Sequence, residues 1–115
     1  MECIFCKIAE GVLPSDTVFE NAKVKAFRDI HPKATVHILI IPKIHIASVA
    51  ELTEAHDGAM AALLHAAKDI ARDQNLAGYK LLFNVGREAG QVVDHLHLHL
   101  LGGWGKNGKV KSLDV

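Results

Sequence analysis

The run His95-Leu96-His97-Leu98-His99-Leu100-Leu101-Gly102-Gly103 decides how the rest of this chain is read. Three histidines alternate with three leucines, and a glycine pair ends the run. Strict alternation is the signature of a β-strand with one face in a core. Successive side chains on a strand point to opposite faces. Leu96, Leu98 and Leu100 therefore share one face, and His95, His97 and His99 share the other. Neighbouring imidazoles on that face stand roughly 6.6 Å apart, from a rise of about 3.3 Å per residue. Imidazole titrates near neutral pH, so such a row supplies nucleophiles, acids, bases or metal ligands. Chance alone rarely places three histidines in strict alternation.

Outward from that strand, the preceding segment Gly86 to Asp94 reads as a loop with glycines at 86 and 90. Before it, Lys80-Leu81-Leu82-Phe83-Asn84-Val85 reads as a strand, separated by Gly78 from a long helix. That helix is expected from Glu54 to Asn75, with Thr53 as its cap. Met60, Leu63, Leu64, Ala67, Ile70 and Ala71 follow the 3–4 spacing of one apolar stripe. His56 and His65 fall on this helix as surface or packing residues. His37-Ile38-Leu39-Ile40-Ile41 is a β-branched central strand stopped by Pro42. Thr17–Glu20 and Val24–Arg28 make a hairpin around Asn21-Ala22-Lys23. Residues 3–10 form a short helix closed by Gly11.

Five strands and one long helix, without regular βαβ alternation, predict an α+β domain with a mainly antiparallel sheet and a short N-terminal helix. The helix stripe is expected to cover the leucine face and leave the histidine face open. The 115 residues suit one domain, 1–115. Half of them are apolar, 23% are charged and the formal net charge is zero. That balance argues against a nucleic-acid or membrane-surface partner. A basic cluster, Lys106, Lys109 and Lys111, reads as a solvated tail. No apolar run approaches the roughly 20 residues of a membrane helix. Met1 to Lys7 lacks a basic segment followed by an apolar one, which predicts a cytoplasmic protein without a signal peptide. In that setting Cys3-x-x-Cys6 reads as metal or redox chemistry before a disulfide, or as two reduced thiols.

The pattern His-φ-His-φ-His-φ-φ, with φ apolar, is the histidine-triad motif, and His95 to Leu101 matches it throughout. Ile4-Phe5-Cys6-Lys7-Ile8, Ala26-Phe27-Arg28-Asp29-Ile30, His37 to Lys43 and Gly90-Gln91 fall where the histidine-triad (HIT) superfamily has like segments. The chain resembles the nucleotide-hydrolase branch of that superfamily over nearly its whole length. The resemblance implies hydrolysis of a purine nucleoside phosphoramidate or related nucleotide at its α-phosphate. It assigns His97 as nucleophile through a nucleotidyl-histidine, His99 to the phosphate, and His37 to the phosphate or the leaving group. It assigns Asp29 to the ribose, Ile30 to the base and Asn84 to the α-phosphate. The loop Gly90, Gln91, Val92 and Val93 is implied to cradle phosphate oxygens with its amides. His31, beside Asp29, reads as a loop surface residue. The same resemblance implies one structural zinc on Cys3, Cys6, His45 and His95. It also implies a homodimer in which the long helices and the Leu81–Val85 strands meet across a two-fold axis.

Two departures stand out. Val92 replaces a serine common in this branch, which predicts slower turnover or altered leaving-group preference. The end, Lys111-Ser112-Leu113-Asp114-Val115, lacks the aromatic or proline-rich tail by which some relatives reach a partner's site. Competing readings are a dinucleoside polyphosphate hydrolase, a nucleotide-binding regulatory module with incidental catalysis, and a hydrolase whose catalytic zinc sits on His95, His97 and His99. The last ranks lowest, because three same-face positions on one strand reach a single tetrahedral ion poorly.

Overall fold

Local side-chain chemistry sets most of the element boundaries. The structure, a computed structural model, describes residues 2–104. The basic cluster at 106–111 and the tail at 111–115 lie outside the described residues. Cys3 caps helix α1 (Ile4–Ala9), its Sγ accepting the Cys6 N–H at 3.3 Å. Strands β1 (Thr17–Glu20) and β2 (Val24–Arg28) follow. Asn21 Oδ1 makes the tight turn between them by accepting the Lys23 and Val24 N–H groups, each at 2.9 Å. Strand β3 spans Val36–Pro42 and so includes the proline, which pairs with Val24.

The long helix is shorter than its sequence pattern. Glu54–His56 is a 3₁₀ turn, and α2 proper runs Asp57–Asp73. Thr53 stands at the cap position of that turn, its N–H donated to His56 Nδ1 at 3.0 Å. At the other end Asn75 adopts φ +57. The Leu76 N–H returns to the Ala71 carbonyl and the Asn75 N–H to that of Arg72. This pair of bonds is a Schellman closure, which stops the helix before Asn75. Strand β4 covers Tyr79–Phe83, so Asn84 and Val85 belong to the loop beyond it. Strand β5 covers Leu98–Gly102. A Cβ on Gly102 would lie 2.7 Å from Leu76 Cδ1, and Gly103 takes φ +91, so the glycine pair is dictated by the helix-to-strand loop above it and by the turn.

The sheet is antiparallel throughout, in the order β1-β2-β3-β5-β4. On one face Ala26, Ile38, Ile40, Leu98 and Leu100 pack with Leu63, Ala66, Ala67 and Ile70 of α2 in the main core. Most of these side chains are fully buried, worth roughly 1.5–3 kcal/mol each for the larger ones. The opposite face carries a second, smaller core of Phe27, Leu39 and Ile41 under Phe5 and Ala9 of α1. Lys25 pins α1 there, donating from Nζ to the Ile8 carbonyl at 2.9 Å while itself buried. Among the described residues, no helix is long and apolar enough to cross a membrane.

Candidate active site and metal centre

The alternation of the histidine run survives, but its strand is only half as long as the sequence suggests. Only Leu98 onward joins the ladder. His95, Leu96 and His97 approach it as irregular chain, anchored by the Leu96 N–H on the Ile46 carbonyl at 2.6 Å. Leu96, Leu98 and Leu100 all enter the main core. The expectation of an open histidine face is corrected. His95, His97 and His99 are 0%, 7% and 6% exposed. The short helix α1 covers part of that face, with Phe5 packed edge-to-face on His95 and His97 at ring-centroid distances of 6.0 and 5.2 Å.

Each triad histidine has its own partners, and those partners fix its protons. His97 Nδ1 lies 2.8 Å from the His95 carbonyl oxygen. A carbonyl only accepts, so neutral His97 carries its proton on Nδ1 and keeps a lone pair on Nε2. The backbone N–H of Lys33 donates to His37 Nδ1 at 3.0 Å. Neutral His37 therefore bears its proton on Nε2, which lies 2.9 Å from His99 Nδ1. His99 accepts there, which leaves the proton of neutral His99 on Nε2 as a donor. Burial pushes the His99 pKa down to about 4 and lowers that of His37 as well, so both are neutral at pH 7. The chain of two bonds from Lys33 through His37 thus ends in a fixed N–H donor on His99, beside the fixed lone pair of His97, with the His97 and His99 ring centroids 5.1 Å apart.

Asp29 closes the far end of this row. Its Oδ2 lies 3.4 Å from His37 Nε2, and its Oδ1 accepts the His31 N–H at 2.8 Å. Ile30, next in sequence, is 85% exposed. Asp29, His37 and His99 also place ligand-type atoms within 4.8 Å of one another. Their hydrogen bonding opposes a metal, however. The Lys33 N–H occupies His37 Nδ1 and forces the proton onto Nε2, the atom that would coordinate. His95, His97 and His99 do not converge on a common point either, since they bond to different partners. Both observations count against a catalytic zinc on the triad.

The loop before the triad is braced from inside. Gln91, 3% exposed, accepts the Gly86 N–H on Oε1 and donates from Nε2 to the carbonyls of Ala47 and Val93 at 2.7 and 3.0 Å. Arg87 donates to the Gln91 carbonyl and pairs with Asp94 at 2.9 Å. Gly90, at φ +90, sends its N–H to the Arg87 carbonyl, and the Gln91 N–H goes to that of Gly86. These two amides are spent within the loop, which narrows the expected phosphate cradle to Val92 and Val93. Val92 is 77% exposed, so the serine-to-valine departure lies on the surface of the loop. Asn84 Nδ2 donates to the Ala89 carbonyl at 2.7 Å, tying the strand end to the same loop.

Cys3, Cys6, His45 and His95 come together as the sequence reading implied, with all four ligand atoms within 4.8 Å of one another. Cys3 Sγ lies 3.3 Å and Cys6 Sγ 3.5 Å from His95 Nδ1, and Cys6 Sγ lies 3.3 Å from His45 Nδ1. Tetrahedral zinc with bonds of about 2.3 Å to sulfur and about 2.05 Å to nitrogen has S···N edges of roughly 3.5 Å. The proton logic also fits a cation. His95 Nε2 donates to the Pro42 carbonyl at 2.8 Å, which leaves the Nδ1 lone pair aimed at the sulfurs. Burial, with the neighbouring Cys3, pushes the Cys6 thiol up to about 11. A bound metal ion removes that penalty by taking the thiolate. The described group is able to hold a metal, and soft thiolate and imidazole donors exclude magnesium and calcium.

Several contributors were not legible in the roles they take. Lys33 acts through a backbone N–H, and Gln91, expected to offer its amide to phosphate, instead braces the loop through its buried side chain. Phe5 was legible only as part of the family-like segment Ile4 to Ile8.

A buried row of histidines with one fixed lone pair and one fixed donor, beside a braced glycine loop, is a site that suits a nucleotide hydrolase. The chain belongs to the histidine-triad family. A family model described as scavenger mRNA decapping enzyme C-term binding matches residues 2–111. A purine nucleoside phosphoramidase of Escherichia coli K12 is 45% identical over 104 residues, 89% of this chain and 87% of that one. A 14 kDa zinc-binding protein of Zea mays is 45% identical over 103 residues, 87% of this chain and 80% of that one. A HIT family hydrolase of Legionella pneumophila superposes with a TM-score of 0.91 at 43% identity, covering 99% of this chain and 100% of that one.

Proposed function

We propose that the protein hydrolyses purine nucleoside phosphoramidates, or related nucleotides cleaved at the α-phosphate, through a nucleotidyl intermediate on His97. The observation that carries this reading is the 2.8 Å bond from His97 Nδ1 to the His95 carbonyl, which leaves Nε2 as the nucleophilic lone pair. In the first step Nε2 bonds to phosphorus as the P–N bond breaks, and the amine leaves with a proton taken from solvent. In the second step water adds its hydroxyl to phosphorus as the bond from His97 Nε2 to phosphorus breaks, and the remaining proton of that water is released to solvent. Splitting the displacement in two lowers each barrier. His99 Nε2–H donates to a non-bridging oxygen as charge develops there, and the amides of Val92 and Val93 add further donors. Asp29 receives the ribose hydroxyls, exposed Ile30 lies along the base, and Asn84 holds the phosphate side of the loop.

Zinc on Cys3, Cys6, His45 and His95 would be structural, joining the N-terminus to the β3 end and the triad approach. The zinc-binding maize relative and the donor geometry support that choice. Thiols kept as metal ligands suit a reducing compartment, consistent with a cytoplasmic site. A homodimer is supported by Tyr79 and Leu81, 38% and 39% exposed on edge strand β4, and by Leu64, 51% exposed on α2. An unpaired edge strand with apolar neighbours is stabilised by pairing with a second copy. The test of the activity is hydrolysis of adenosine phosphoramidate by wild type and by folded His97→Ala. Turnover restricted to the wild type supports the reading, and equal rates remove His97 from it.

A further inference from the structure

Phe5 belongs to the smaller core and also meets two of the triad histidines. It lies between two metal-site cysteines on the first turn of α1 and is 6% exposed. Its ring meets His97 edge-to-face, with centroids 5.2 Å apart and planes at 89°, and also meets His95 at 6.0 Å. Phe27 backs it from behind at 5.5 Å. The His97 imidazole is thus held by its bond to the His95 carbonyl, by the His99 ring and by Phe5. Two of those three supports belong to the metal centre. His95 is a member of the Cys-Cys-His-His group, and Phe5 rides on the turn that Cys3 and Cys6 anchor.

We propose that Phe5 is a positioning residue for His97, and that the N-terminal Cys3–Cys6 clip holds it against the nucleophile. An inference of this kind rests on the nucleotidyl-histidine reading for its kinetic consequence, but its geometric content stands apart from it. A rotation of the His97 ring about its side-chain torsions breaks the Nδ1–H bond to the His95 carbonyl and turns the Nε2 lone pair away. The Phe5 ring opposes that rotation from one side. Misplacement of a reacting group by about 1 Å costs roughly 100-fold in rate. Metal loading at the clip therefore sets the orientation of a residue that is not a ligand.

The test uses full-length, zinc-loaded protein with Phe5→Leu, Phe5→Ala and, as a packing control, Phe27→Leu. The first readout is the imidazole ¹⁵N spectrum of His97 at fixed pH without substrate, where a protonated Nδ1 and a lone-pair Nε2 give distinct shifts. The second is the single-turnover rate of nucleotidyl transfer from adenosine phosphoramidate, with AMP affinity measured alongside. Phe5→Leu is expected to mix the two His97 tautomers and to slow transfer roughly 10- to 100-fold, with AMP affinity within about twofold. Phe27→Leu is expected to lower stability and leave the His97 signals in place. Chelation of the wild type is expected to shift the same His97 signals. A Phe5→Leu protein with wild-type His97 signals overturns the proposal, as does a Phe27→Leu protein that shifts them equally. Should Phe5→Ala fail to fold, Phe5→Leu decides alone. If His97→Ala retained turnover, the functional reading would fail while the spectra still decided the role of Phe5.

Discussion

His37 Nε2 and His99 Nδ1 lie 2.9 Å apart, on diagonal positions of the adjacent strands β3 and β5. The Lys33 backbone N–H decides which of them donates, because it occupies the other nitrogen of His37. One main-chain group in a loop thereby sets the proton position of His99, two bonds away. His37→Phe keeps a ring but removes both nitrogens. It is expected to slow nucleotidyl transfer by about 100-fold, the scale of losing one preorganised donor. His37→Gln, which accepts from Lys33 and donates to His99, is expected to recover part of that loss. Single-turnover kinetics on both variants checks the order.

Stability should fall on the acid side of neutrality. The unfolded chain binds a proton at each histidine near pH 6.5, whereas burial holds His99 at about 4 in the fold. Below pH 6.5 the unfolded state binds more protons, so stability is present above that value and is lost as pH falls toward about 4. The loss attributable to His99 is up to about 3 kcal/mol. Urea midpoints at constant zinc should drop across this window in the wild type. In His99→Gln the drop should be shallower.

Removing the metal ligands should cost stability as well as the placement of His97. Wild type is expected to hold about one zinc per chain, and Cys3→Ser with Cys6→Ser about none. The melting temperature of the double variant is expected to fall by more than about 4 °C, the shift that ~1 kcal/mol produces in a domain of this size. Metal analysis beside a thermal scan checks both. Zinc retained by the double variant would sink the four-ligand site.

The edge strand predicts the assembly. Leu81→Glu places an unpaired charge on the exposed face of β4 and is expected to weaken self-association at least ~100-fold, about 3 kcal/mol. Sedimentation equilibrium of the wild type should show a dimer, and the variant a monomer with unchanged secondary structure. A monomeric wild type would contradict the proposed interface.

Val92→Ser tests the departure in the loop. With Val92 77% exposed, the change has little packing cost. A hydroxyl beside the phosphate is expected to raise turnover up to about 10-fold or to alter the ranking of leaving groups. Steady-state rates on several phosphoramidates with amines of graded basicity measure this.

The five strands, their mainly antiparallel sheet and the long helix were legible because period-2 and 3–4 patterns are local properties of the chain; the order of the strands was not. The ends of α2 were not, because Asn75 turns left-handed only where Leu76 must fold back over Gly102. The metal group was legible as Cys-x-x-Cys plus two histidines once the family resemblance supplied the partners. The cover over the histidine face was not. Six residues of helix carry too little periodicity to show that Phe5 points at His97 and His95. The proton assignments were beyond reach of sequence for a different reason: they depend on the carbonyls of His95 and Pro42 and the amide of Lys33, groups that every residue has.

The central claim is that His97 Nε2 bonds to the α-phosphorus. Its most direct test is acid- and base-quenched single turnover with adenosine phosphoramidate, followed by peptide mass spectrometry. A nucleotidyl adduct on the peptide containing His97, stable in base and labile in acid, formed no slower than overall turnover and absent from His97→Ala, is the expected result. Turnover at the wild-type rate by His97→Ala, or an adduct mapped to His99 or His37, would contradict the account.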